Sequence, residues 1–252
     1  MVNPLKYFVP KVKLSSELPV QTGLEEKFGG VPWGLTLDQV PACTQCEKHQ
    51  TLIAQLLHHP IRLDLGASGR ILCVFQCQQG CNCWEGGAGA NACFVLDEDE
   101  LTNSPSLLPE ALLVHPTDIV PEVRIVDWFE CEDGVTAEQF DSFFDEQKHL
   151  DLPDELFDRL PQHMTRLGGV PTWCQSADEA PKDWQFVGQL EESHSTFEVP
   201  LGRKWESQCW DPGTWYERRW FIGNHNFGCG SAYLFLRRHG SDKPEGWFFS
   251  QC

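Results

Sequence analysis

Basic residues are scarce in this chain. Its 252 residues carry 19 Lys+Arg against 37 Asp+Glu, a formal net charge of -18. Nucleic-acid phosphates and anionic membranes both need a positive field, so neither is expected as the main partner. Long apolar runs are also missing, and with them any expectation of a membrane-spanning helix. The opening residues, MVNPLKYFVPKVKLSS, scatter Lys and Pro where a signal peptide needs an unbroken apolar stretch. A cytoplasmic location is the resulting expectation. The sequence also lacks G-x-x-x-x-G-K-[ST], G-x-S-x-G, His-Glu-x-x-His and the cysteine-protease signatures. Gly87-Ala-Gly89-Ala-Asn-Ala92 resembles a dinucleotide turn, but it runs into the strand-like Ala92-Cys-Phe-Val-Leu96 instead of a helix.

What is present argues for a packed core. Hydrophobic residues make up 41% of the chain and include 10 Trp and 16 Phe, which excludes bulk disorder. An internal repeat organises these residues. Gly29-Gly30-Val31-Pro32 recurs as Gly168-Gly169-Val170-Pro171. Each copy is followed by an apolar stretch ending in Gln-Leu, Leu52–Leu56 in the first and Phe186–Leu190 in the second. A third block then follows, Arg70–Cys77 in the first and Ala232–Arg237 in the second. These blocks are short, β-branched or aromatic, and punctuated by Gly and Pro, so they read as strands. The Gly pair supplies φ > 0, and Pro pushes the preceding Val into an extended conformation. A tight turn feeding a strand is the plain interpretation of Gly-Gly-Val-Pro; a ligand-contacting turn is the sharper one.

Between the repeats, Trp128 to Leu160 holds eleven acidic residues against Lys148 and Arg159, a net -9. Val123–Trp128 alternates as a strand. Ala137–Phe144 places aromatics at i, i+3 and i+4 behind a Thr136/Gln139 capping box, which predicts a helix. A second short helix is expected near Pro153, with Leu156, Phe157 and Leu160 facing inward. The fold expected is mainly β (α+β with few helices), an internally duplicated unit. Residues 1–126 form the first repeat with the cysteine cluster, 127–162 an acidic helical connector, and 163–252 the second repeat. All three are expected to pack as one compact unit.

The chain has 12 cysteines, an even number compatible with disulfides. Without an export signal, free thiols or a metal site are the better expectation. Five cluster: Cys43-Thr-Gln-Cys46 in a loop, and Cys77, Cys81 and Cys83 after an apolar strand. A two-residue spacer lets two thiolates reach one ion, and a second pair closes a tetrahedron around a structural zinc. The fourth ligand is left open between Cys81 and Cys83, with His49 as a substitute. Packed free thiols, or a redox pair or disulfide, are the alternatives. Cys73, Cys93 and Cys131 are expected in core strands, while Cys174, Cys209, Cys229 and Cys252 receive no role.

Near the C-terminus, Trp205, Trp210, Trp215 and Trp220 recur every five residues, with Tyr216, Arg218 and Arg219 between them. That step suits neither a helix face nor a strand face, so these rings, with His225, are candidates for a recognition surface or a ligand pocket. His194 or His225 near Glu191 is a remote candidate for hydrolysis.

The repeated Gly-Gly-x-Pro turn, the Gln-Leu strand end and Gly228-Cys-Gly-Ser-Ala-Tyr-Leu-Phe-Leu236 resemble the YwqG-like family of bacterial proteins, which has no settled activity. The first repeat, with Gly30-Val-Pro-Trp33, Cys43-x-x-Cys46 and Val74-Phe-Gln-Cys77, is also similar to the N-terminal part of the programmed cell death protein 2 family. The first resemblance implies a duplicated, mainly β fold of strongly bent sheets. The second implies protein binding, as a chaperone for a ribosomal protein. Two functional expectations follow. One is a non-enzymatic, zinc-stabilised module for a basic protein partner. The other is a small-molecule binder or hydrolase with a pocket between the repeats.

Overall fold

The computed structural model describes residues 4–79, 81–106, 122–162, 164–178, 182–191, 194–195, 221–222, 227, 230–239 and 242–252. Strands dominate. The first half of the chain supplies β1 (Pro4–Leu14), β2 (Lys27–Phe28), β3 (Thr51–Leu57), β4 (Ile71–Gln76), β5 (Asn91–Leu96) and β6 (Val123–Thr136). Two short helices follow, α1 (Glu146–Leu150) and α2 (Asp154–Phe157). The second half supplies β7 (Arg166–Gly168), β8 (Trp184–Glu191), β9 (His194–Ser195), β10 (Phe221–Ile222), β11 (Ser231–Arg237) and β12 (Glu245–Gln251). A closed barrel forms in the order β1-β6-β2-β3-β4-β5-β12-β11-β8-β7, while β9 and β10 pair separately.

That order displays the duplication. Outward from the β5–β12 seam, β5-β4-β3-β2 on one side matches β12-β11-β8-β7 on the other, and β6 and β1 complete the ring. The match extends to register. Lys27 faces Gln55 and Phe28 faces Ala54, just as Arg166 faces Gln189 and Leu167 faces Gly188. Each copy also has an irregularity at the same place, between Leu52 and Ala54 in β3 and at the Leu234/Phe235 step opposite β8. Such irregularities bend a strand and increase its twist, which lets short strands curl into a closed barrel.

The repeated Gln and Gly-Gly-Val-Pro are one device. The backbone N–H of Trp33 donates to Gln55 Oε1 at 2.9 Å, and that of Thr172 donates to Gln189 Oε1 at 3.0 Å. A buried cation then holds the turn from inside. Lys27 Nζ donates to the Val31 carbonyl at 2.6 Å, and Arg166 Nη2 donates to the Val170 carbonyl at 2.7 Å. Glycine is needed because both turns run through positive φ: 65° and 71° at Gly29 and Gly30, 74° and 66° at Gly168 and Gly169.

Strands β4 and β11 are buried on both faces, so they read as continuous apolar runs. Leu72 and Val74, with Ala232, Leu234 and Leu236, fill a shared interior beside Phe28, Ile53, Leu190 and Phe248. The outward faces meet different covers. Ile71, Cys73 and Phe75 pack under Leu35, Val40 and Leu52. Tyr233 and Phe235 join Phe186 and Phe249 in an aromatic layer bordered by Phe144, Trp173, Trp184 and Trp247.

The region between the repeats departs from expectation at its start. Residues 127–136, assigned to the helical connector, continue β6 as far as Thr136, because the strand pairs with β1 along nearly its whole length. The expected Ala137–Phe144 helix is a 3-10 turn over Phe140–Phe144. Gln139 Oε1 does reach back to the Thr136 N–H at 3.0 Å, as a capping box requires. Leu156 and Leu160 are buried with Val135, Phe143 and Val170, and Phe157 packs against them, as the inward-facing pattern predicts.

Candidate metal centre

The Cys43–Cys46 loop lies between the end of the first Gly-Gly-Val-Pro region and β3. Its backbone is tightly bonded: Cys43 N–H to the Lys48 carbonyl at 2.8 Å, and Glu47 N–H to the Cys43 carbonyl at 2.8 Å. Glu47 closes the turn in the left-handed region, φ 61°. Cys77 leaves the end of β4, its N–H donating to the Ala90 carbonyl at 2.8 Å. The chain then loops through Cys81 and Cys83 before entering β5. Thr44 N–H donates to the Gly89 carbonyl at 3.1 Å, and Asn82 N–H to Gln45 Oε1 at 3.1 Å. A side chain at Gly89, φ 82°, would collide with Thr44.

These contacts bring four thiols together. The sulfurs of Cys43, Cys46, Cys77 and Cys81 all lie within 4.8 Å of one another, and Cys46 Sγ is 3.6 Å from Cys77 Sγ. All four are free thiols. Cys43 and Cys77 are buried, whereas Cys46 and Cys81 are partly exposed. Each loop points amide hydrogens at a sulfur: Gln45 N–H at Cys43 Sγ and Gln79 N–H at Cys77 Sγ, both at 3.4 Å. Amides aimed at sulfur favour the thiolate, the form that binds metal.

Burial raises the Cys43 thiol, but the Cys46 and Gln45 amides and the Cys81 and Cys77 thiols outweigh it and bring it down to about 7. Burial pushes Cys77 well up. Burial and the Cys46 and Cys43 thiols raise Cys81 to about 11. A divalent cation bound by such a set would displace the protons that Cys77 and Cys81 hold.

Of the five cysteines expected at the site, the structure groups four. Cys83 is buried beside the cluster but outside the set of four. His49, the expected substitute, has Nδ1 at 3.1 Å from the Val40 carbonyl. Cys73 is buried in β4 as expected, while Cys93 in β5 and Cys131 in β6 are only partly buried. Trp205, Trp210, Trp215, Tyr216, Trp220 and His225, the candidate recognition residues, lie outside the described residues, as do Cys209 and Cys229.

Two features escaped sequence reasoning. One is the aromatic layer on β8, β11 and β12, where Arg237 stacks 4.8 Å over Trp184 and Trp184 lies 5.9 Å from Trp247. The alternation Tyr233-x-Phe235 and Trp247-x-Phe249 could have marked it. The other is a cleft of about 280 Å³ within the first repeat, lined among others by Lys27, Trp33, Glu122 and Arg124. Its cations are occupied, Lys27 with Glu122 at 2.9 Å and Arg124 with Glu25 at 2.9 Å.

No protein-family model matches the chain, and no curated protein sequence does. Among the described residues, no helix is long and apolar enough to cross a membrane.

Proposed function

We propose that the chain is a non-enzymatic protein-binding module whose first repeat is stabilised by a structural zinc ion on Cys43, Cys46, Cys77 and Cys81. The observation that carries this is the closed set of four thiols within 4.8 Å of one another. A tetrahedral zinc with bonds of about 2.3 Å needs sulfurs about 3.8 Å apart, a spacing this set accommodates. Four protein ligands leave no open position for water or substrate, so the role is structural and not catalytic. The metal stays bound where thiols stay reduced, which suits a cytoplasmic protein.

Leu, Val, Ile and Phe side chains fill the barrel interior, which argues against a small-molecule pocket inside it. A net charge of -18, half of it within residues 128–160, steers basic partners towards the surface. The resemblance of the first repeat to the programmed cell death protein 2 family points the same way, since it implies protein binding.

Elemental analysis of protein produced with zinc supplied should find close to one equivalent per chain. Capture from native lysate at low and high salt should recover a reproducible basic partner that is released as salt rises. Metal-free protein sinks the zinc assignment, and the lack of any reproducible partner at either salt concentration sinks the binding role.

A further inference from the structure

The loop that carries Cys81 and Cys83 does more than reach the other thiols. It lies across the β5–β12 seam, where the two repeats meet. The strands themselves register there through Glu245 opposite Phe94. Backbones come close at this point, since a Cβ on Gly246 would sit 2.8 Å from the Cys93 carbonyl carbon and oxygen. At one end of the seam Lys243 reaches Glu100 and Asp97, and these are partly exposed ion pairs of the kind that salt screens.

The other end is closed by the cysteine loop. Ser250 N–H of β12 donates to the Trp84 carbonyl at 3.0 Å. Asn91 Nδ2 faces the carbonyls of Cys83 at 3.1 Å, Glu85 at 3.2 Å and Phe248 at 3.5 Å, so one amide joins the loop to β12. Gly86 lies so close to the Trp247 indole that any side chain there would collide with it. On its far side β12 is fully paired with β11 from Glu245 to Gln251, so the seam is its weakly paired edge.

We infer that metal binding to the four thiols clasps the two repeats: the ion fixes the 81–91 loop, and the loop fixes the edge of β12. This deepens the zinc reading and rests on it. The clasp predicts a local response. Removing the ion frees the loop, and the amides of β12 lose protection before the rest of the barrel does, because local opening follows the loss of local contacts. Strands β1 and β6 lie opposite the seam in the barrel order and provide the internal control.

The test compares hydrogen exchange of the full chain, zinc-loaded and after a thiol-safe chelator, with metal content measured on both samples. Exchange across residues 245–251 should rise on removal at least about tenfold more than exchange across residues 4–14 and 123–136, whose rise reports the global loss of stability. Asn91→Ala should keep its metal yet show fast β12 exchange even when loaded. Unchanged β12 exchange in metal-stripped protein, or slow exchange in loaded Asn91→Ala, overturns the clasp while leaving the zinc site standing. So does an equal rise in every strand, which marks a purely global stabilisation. A chain that binds no zinc at all removes both.

Discussion

The two copies of the repeat hold their turns with the same bonds and cover their strands with different material. Gln55 and Gln189 accept from the residue after Gly-Gly-Val-Pro, and Lys27 and Arg166 donate into the turn from inside. The inner faces of β4 and β11 are interchangeable, Val74 against Leu234. Beyond that the copies diverge. The first has Ile71, Cys73 and Phe75 under an aliphatic cover and adds four thiols at the strand ends. The second has Tyr233 and Phe235 under an aromatic layer. A shared backbone device thus sets the fold, and what lies outside it can carry a separate chemistry in each copy.

The sharpest way to break this comparison is to remove the chemistry that only the first copy has. Cys43→Ser should take zinc from close to one equivalent to nearly none and cost on the order of 4 kcal/mol or more, since bound metal contributes directly to folding. Cys83→Ser, outside the set of four, should keep the metal, and Cys252→Ser should change neither property. Elemental analysis and urea unfolding of the same samples would check all three. Zinc retained by Cys43→Ser would mean that the copies differ in something other than this site.

The shared device gives the next largest effect. Arg166 donates to the Pro161, Met164 and Val170 carbonyls and to Thr172 Oγ1, all at 2.7 to 3.2 Å. Arg166→Ala would strand these buried acceptors and should cost about 3–5 kcal/mol. Lys27→Ala strands fewer: the Val31 carbonyl, Gln21 and Glu122. It should cost about 2–4 kcal/mol by the same argument. Denaturant midpoints at constant slope would rank the pair. Equal costs would mean that the turn matters and the number of donors does not.

The duplication was legible in sequence because a turn that needs φ > 0 and a carbonyl clamp that needs a Gln leave few residue choices. The strand blocks were legible for the same reason. Ligand choice was not, because spacing along the chain cannot say whether Cys81 or Cys83 turns towards Cys43; the loop geometry around Gly89, packed against Thr44, decides it. Neither was the length of β6 legible. Glu130, Glu132 and Asp133 made its second half look like a solvated helix, yet pairing with β1 carries the strand to Thr136.

Protons offer a gentler probe of the first copy. Without metal, the raised Cys77 and Cys81 thiols are protonated at neutral pH, and both must lose that proton to bind. Falling pH therefore favours the empty site. Apparent zinc affinity should drop at least about 100-fold for each pH unit lowered from 8 to 7, at about tenfold for each of these two protons released. Cys43, at about 7, adds a third proton below that. Competition titrations with a chromogenic chelator at several pH values would measure the slope. A flat profile would mean that fewer thiols bind than the geometry brings together.

The smallest effects test whether the two turns are equivalent in detail. Gly30 and Gly169 occupy the same place, with φ of 71° and 66°, so alanine at either pays the same backbone cost of about 1 kcal/mol. Their surroundings differ. A Cβ at Gly30 would sit 2.6 Å from Glu122 Cβ, whose carboxylate is tied to Lys27, so the neighbour cannot move without breaking a buried pair. At Gly169 the nearest atoms are Asp133 Oδ2 at 2.9 Å and Tyr7 Cβ at 3.1 Å, where a small displacement suffices. Gly30→Ala should therefore cost about 2–3 kcal/mol and Gly169→Ala about 1–2. Equal losses in urea unfolding would show that conformation alone sets the requirement. The unequal loss expected here would show that each copy has packed its own side chains against a common turn.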